Sequence, residues 1–104
     1  MITAATMKVL TEFLNTPQRE QYGFGLMRTT GVKAGSLYPI LDRLVAAGWL
    51  HVEDESIDVV AERRPKRKLY RLTALGEREG RRAVRQFFEN VGPAPHWVPR
   101  LERA

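Results

Sequence analysis

Lys33, Gly35, Ser36 and Tyr38 fall within six residues of one another, and Arg64, Lys66, Arg67 and Lys68 fall within five further along. Hydroxyls that donate and accept, a cation beside them and a glycine that lets backbone amides come close suit contact with base edges and phosphate oxygens. A run of cations suits a polyanionic backbone. Arg43, a turn beyond Tyr38, either contacts phosphate or pairs on the surface with Asp42 or Glu20. Tyr38 either offers its hydroxyl outward or serves as a core or hinge residue beside Pro39. This chemistry is steric and electrostatic recognition, with no bond made or broken. Ser36, His51 and Asp58 have no spacing that assembles a nucleophile, base and orienter, and no glycine-rich phosphate loop is present, so catalysis is not expected. With no cysteine and only His51 and His96, neither a disulfide nor a metal site nor a cofactor is expected.

Positioning those groups takes a short series of elements. Ile2, Ala5, Val9, Leu10, Phe13 and Leu14 recur at helical steps, predicting a first helix over Ile2 to Leu14 that Asn15-Thr16-Pro17 ends. Tyr22 to Thr29 fits a short second helix, and Gly31 makes the turn. Leu37, Ile40, Leu41, Leu44 and Val45 form one stripe of a third helix over Ala34 to Ala47, which leaves Gly35, Ser36, Tyr38, Asp42 and Arg43 on or beside the other face. Pro39 lies inside it and forfeits a backbone bond, an effect of roughly 3 kcal/mol in an ordinary helix. Gly48 caps the end. Trp49 to Glu53 and Arg67 to Leu72 alternate as a pair of strands, and Thr73 caps a last helix reaching Asn90. The expected fold is mainly α with a small β-hairpin: a winged helix-turn-helix over 1–72, a C-terminal dimerisation helix over 73–91 and a proline-rich tail over 92–104.

Between the strands, Glu53, Asp54, Glu55, Asp58 and Glu62 precede Arg63, Arg64, Lys66, Arg67, Lys68 and Arg71, so five negative charges are followed by six positive ones. Two uses are open and compatible. The acidic and basic strands can pair with each other, or the basic one can grip phosphate. In the last helix, Gly80, Val84, Phe87 and Val91 recur at four, three and four, with Phe88 beside them, a seam suited to another helix. For 104 residues at 43% apolar content, one modest core is expected, so the seam reads as a two-fold dimer contact with Val9 and Phe13 contributing. Packing back onto the first helix of the same chain is the alternative. Lys8 and Glu12 break the first apolar run, so neither a signal peptide nor a membrane span is expected, and a cytosolic chain is. A net charge of +5 and a pI near 10.1 favour nucleic acid as partner.

Tyr22-Gly-Phe-Gly-Leu, Gly35-Ser-Leu-Tyr-Pro-Ile-Leu-Asp-Arg-Leu, Gly48-Trp-Leu and Arg67-Lys-Leu-Tyr-Arg-Leu-Thr-Ala-Leu-Gly76 together resemble the PadR family of bacterial transcriptional regulators, over roughly Val9 to Gly80. The resemblance implies a homodimeric winged-helix repressor on an inverted repeat, released in many members by a small aromatic or drug-like effector. Two departures are visible. Lys33 stands where the family often has a serine or threonine cap, and the chain after the wing is short, as in the small subfamily that dimerises through one terminal helix. There effectors lodge against aromatic side chains at the dimer interface, which makes Phe87, Phe88 and Trp97 candidate pocket walls, with a packing anchor as the other role for Trp97. A winged-helix module that docks protein rather than DNA is the competing function, motivated by the acidic start of the wing.

Overall fold

The computed structural model of the chain describes residues 2–91. The elements run α1 (Ala4–Asn15), α2 (Gly23–Thr30), α3 (Ala34–Ala46), β1 (Leu50–Asp54), α4 (Val59–Glu62), β2 (Lys68–Leu72) and α5 (Ala74–Val91). This is a winged helix-turn-helix, mainly helical with one antiparallel hairpin. The expected elements are all present, with ends moved by one or two residues. Helix α4, inside the wing, was not expected. Among the described residues no helix is long and apolar enough to cross a membrane.

Local chemistry sets the boundaries. Helix α1 starts at Ala4 because the Thr3 hydroxyl accepts the Thr6 amide at 3.2 Å, satisfying a donor that the first turn leaves unpaired. Gly31 and Gly48 close α2 and α3 at φ 75° and 80°, a region that residues with a Cβ enter at a cost. After α3 the Trp49 amide reaches back to the Leu44 carbonyl at 2.9 Å and the Gly48 amide to Val45 at 3.0 Å, so the chain turns sharply into β1. The hairpin pairs Leu50 with Leu72 and Val52 with Tyr70, which places apolar residues of both strands on one face. Gln21 extends the sheet by one bridge, exchanging backbone bonds of 2.8 and 2.7 Å with Tyr70. The wing is thereby tied to the residue just before Tyr22.

One core serves the whole described chain. Met7, Val9, Leu10, Phe13 and Leu14 of α1 meet Leu26 of α2, Leu37, Ile40, Leu41 and Leu44 of α3, Leu50, Tyr70 and Leu72 of the hairpin and Val84 of α5. Each fully buried leucine or phenylalanine contributes about 1.5–3 kcal/mol. That corrects part of the expected dimer seam. Val9 and Phe13 are both 0% exposed, Val84 is buried with them, and Gly80 lies against Leu10 and Leu14 of the same chain. These four residues are spent inside one chain and meet a partner only if the core opens. Phe87 and Phe88 are half-buried, their rings edge to face at 5.2 Å. The Val91 side chain and Trp97 lie outside what is described.

Gly76 has a tighter reason to be glycine than a helix partner would give. A Cβ there would run into the backbone of Trp49. The Thr73 hydroxyl donates to the Gly48 carbonyl at 2.7 Å and accepts the Gly76 amide at 2.9 Å, capping α5 while fastening it to the end of α3. Pro39 also finds an account. It removes the bond to the Gly35 carbonyl, but Gly35 is exposed, so solvent can take that acceptor and the loss is smaller than in a buried helix.

Candidate nucleic-acid interface

Helix α3 turns its apolar stripe inward and leaves Lys33, Ala34, Gly35, Ser36, Tyr38, Pro39, Asp42 and Arg43 exposed. Lys33 is the N-cap residue and its side chain caps nothing, so no side chain covers the positive end of α3, although the Ser36 amide donates to the Lys33 carbonyl at 3.0 Å. Nothing lies within 4 Å of where a Gly35 Cβ would be. Tyr38 is 42% exposed and also rests on Gly23, where a Cβ would collide with its hydroxyl and ring. It therefore braces α3 against α2 through its hydroxyl and ring while staying partly exposed. Arg43 does not line the cleft of Tyr38 and the wing cations but an apolar groove of about 250 Å³ with Ile2, Thr6, Ile40 and Trp49. Glu20, its alternative partner, pairs with Arg71 at 3.8 Å instead.

The wing splits its cations into two sets. Arg64 holds Glu55 through two hydrogen bonds of 2.6 and 3.0 Å, and Glu55 also accepts the Arg67 amide at 3.2 Å. The Arg64 bonds bring the Glu55 carboxyl down to about 2, and Arg64 is raised in return. Arg64 is therefore a structural residue of the wing rather than a free cation. Lys68 pairs across the hairpin with Asp54 at 3.3 Å, an exposed contact of small value. Asp58 caps α4 through the Val60 and Ala61 amides. The pairing use of the segregated charge is thus present, and the side chains of Lys66 and Arg67 take part in no ion pair among the described residues.

Of the exposed α3 groups, Tyr38 meets the wing cations at one cleft, whereas Lys33, Gly35, Ser36 and Arg43 do not line it. Tyr22, Gly23, Phe24 and Tyr38 from the helices and Lys66, Arg67, Lys68 and Tyr70 from the wing line a cleft of about 290 Å³. Burial pushes the Tyr70 hydroxyl above its ordinary value, so it stays a neutral donor and acceptor there. The Arg67 guanidinium lies 4.2 Å from the centre of the Tyr22 ring. Arg28 of α2 donates to the Tyr22 hydroxyl at 3.1 Å and sits 5.5 Å over the ring of Phe24, which is 61% exposed. Tyr22, Phe24 and Arg28 were missed as site residues. Their signal was the spacing of Phe24 and Arg28, four apart and hence on one face of α2.

The model of the transcriptional regulator PadR-like family matches residues 16–82. No curated protein matches the chain. Among solved structures, AbfR, known from Staphylococcus epidermidis, is similar in a disulfide-formed state, with a TM-score of 0.66 and 23% identity over 88% of this chain and 61% of that one. Reduced AbfR bound to DNA is similar with a TM-score of 0.65 and 23% identity over 88% of this chain and 58% of that one. The chain thus spans about three fifths of AbfR, and having no cysteine it can form no disulfide. A PadR-like transcription factor from Bacteroides fragilis is similar with a TM-score of 0.64 and 24% identity over 84% of this chain and 85% of that one. The match to the family model covers most of the chain and includes both halves of the cleft, from Tyr22 to Tyr70, so the chain belongs to the PadR-like family of transcriptional regulators.

Proposed function

We propose that this PadR-like regulator is a repressor that binds an inverted-repeat operator as a homodimer. The observation that carries the reading is the cleft at which Tyr38 of α3 meets the wing cations Lys66 and Arg67, on a helix whose exposed start has no side-chain cap. Ser36 reads bases, and Lys33 with the α3 amides that Gly35 leaves accessible takes a phosphate, while Lys66 and Arg67 hold the backbone further along. AbfR, bound to DNA in one of its structures, supports the assignment. Phe87 and Phe88 at the far end of α5 remain as the dimer contact, and a small aromatic effector lodged against them would release the operator. Against the protein-docking reading stand three of its five acidic residues, since Asp54 and Glu55 are paired within the hairpin and Asp58 caps α4.

Selection of bound fragments from random duplexes at near-physiological salt tests this. An inverted repeat with half-sites about one helical turn apart is expected. Ser36→Ala should change the selected half-site, and an identical motif would remove Ser36 from the readers. Recovery of bulk sequence alone would leave only non-specific electrostatics and overturn the proposal.

A further inference from the structure

Arg28 and Arg67 come from different elements, α2 and the wing, yet both are held against one phenol. Neither side chain takes part in an ion pair among the described residues, and the nearby Glu55 is already engaged by Arg64. Two guanidinium groups gathered on one tyrosine repel each other unless an anion lies between them. The backbone bridge from Gln21 to Tyr70 fixes the position of Tyr22 relative to β2, so the arrangement is built into the fold.

We infer that Tyr22 is the positioning residue of a two-arginine phosphate clamp, with Arg67 stacked on its face and Arg28 bound to its hydroxyl, that grips one stretch of DNA backbone from both sides of the cleft. The inference rests on the DNA-binding reading above. It adds a contact from α2, made by Arg28, and gives an uncharged side chain control over the electrostatic part of binding. Cation–π contact and a hydrogen bond restrict two long side chains before DNA arrives, so less freedom is lost on binding.

The test is the salt dependence of binding to the selected operator, or to a mixed-sequence duplex, for the full chain and four variants. Arg28→Ala and Arg67→Ala should each flatten the slope of log affinity against log salt by about one unit, as expected for one lost phosphate contact. Tyr22→Leu removes no charge but should flatten it by about two, and Tyr22→Phe, which keeps the ring under Arg67, by about one. Thermal unfolding of the variants separates lost positioning from lost fold. If Tyr22→Leu does not fold, Tyr22→Phe carries the test. A wild-type slope in the folded Tyr22 variants, with Arg67→Ala reduced, overturns the clamp and leaves the regulator reading intact. Absence of salt-dependent binding by the wild type would overturn both.

Discussion

Helix α3 and the wing face the same cleft, but they are held by different physics. Helix α3 is fixed from behind by Leu37, Ile40, Leu41 and Leu44, buried against α1, α2 and the hairpin. The span of the wing from Glu55 to Arg67 is fixed by Arg64 on Glu55, by the Glu55 amide on the Arg67 carbonyl at 2.8 Å and by the Asp58 cap, while Val60 at its far end is 84% exposed. Apolar packing is indifferent to moderate salt and pH, whereas partly exposed ion pairs respond to both. The helix that would read sequence is therefore the rigid partner, and the wing is the adjustable one.

The contrast breaks most severely at Leu41, which is fully buried at the centre of the α3 stripe. Leu41→Ala should cost about 2–5 kcal/mol in urea unfolding, and operator binding should fall with the fold. A loss well under 1 kcal/mol would mean that α3 is not held by its apolar back. Pro39 sharpens the same side. Pro39→Ala lets α3 regain the bond to Gly35, so stability should rise, by at most about 3 kcal/mol. No gain would show that the lost bond is already fully compensated.

Glu55 tests the other side with a smaller and more local effect. Its carboxyl is held at about 2 against an ordinary 4.5, so pairing with Arg64 favours the folded wing above about pH 4.5 and that contribution is lost as pH falls toward 2. Titration followed by NMR should place the Glu55 midpoint near 2, and Arg64→Gln should return it toward 4.5. Glu55→Gln should leave the urea midpoint nearly unchanged while speeding exchange of the Arg67 amide, which the carboxylate accepts. A drop in global stability as large as that of Leu41→Ala would erase the distinction between the two regions.

The helices other than α4, the strands and the inward stripes of α1 and α3 were legible in the sequence because period and punctuation are local properties. Gly31 and Gly48 announce their turns, and Pro17 ends α1 whatever surrounds it. The charge segregation in the wing was legible too, but its division was not. Nothing in the order of residues says that Arg64 finds Glu55 while Arg67 finds Tyr22, since that depends on how the wing folds over α4 and on the bridge from Gln21 to Tyr70.

The last helix gives the same lesson in apolar terms. Its spacing at Gly80, Val84 and Phe87 determined that one face must be covered, and sequence pattern goes no further, because an apolar stripe is non-directional and accepts any complementary surface. Tertiary structure decided that Gly80 and Val84 cover α1 of the same chain and that Gly76 admits the backbone of Trp49. By itself the sequence determined which faces are apolar and which charges are available. Which arginine is spent on an ion pair inside the wing and which is left at the cleft is a matter of distances of a few ångströms between residues far apart in the chain, and only the folded molecule sets those.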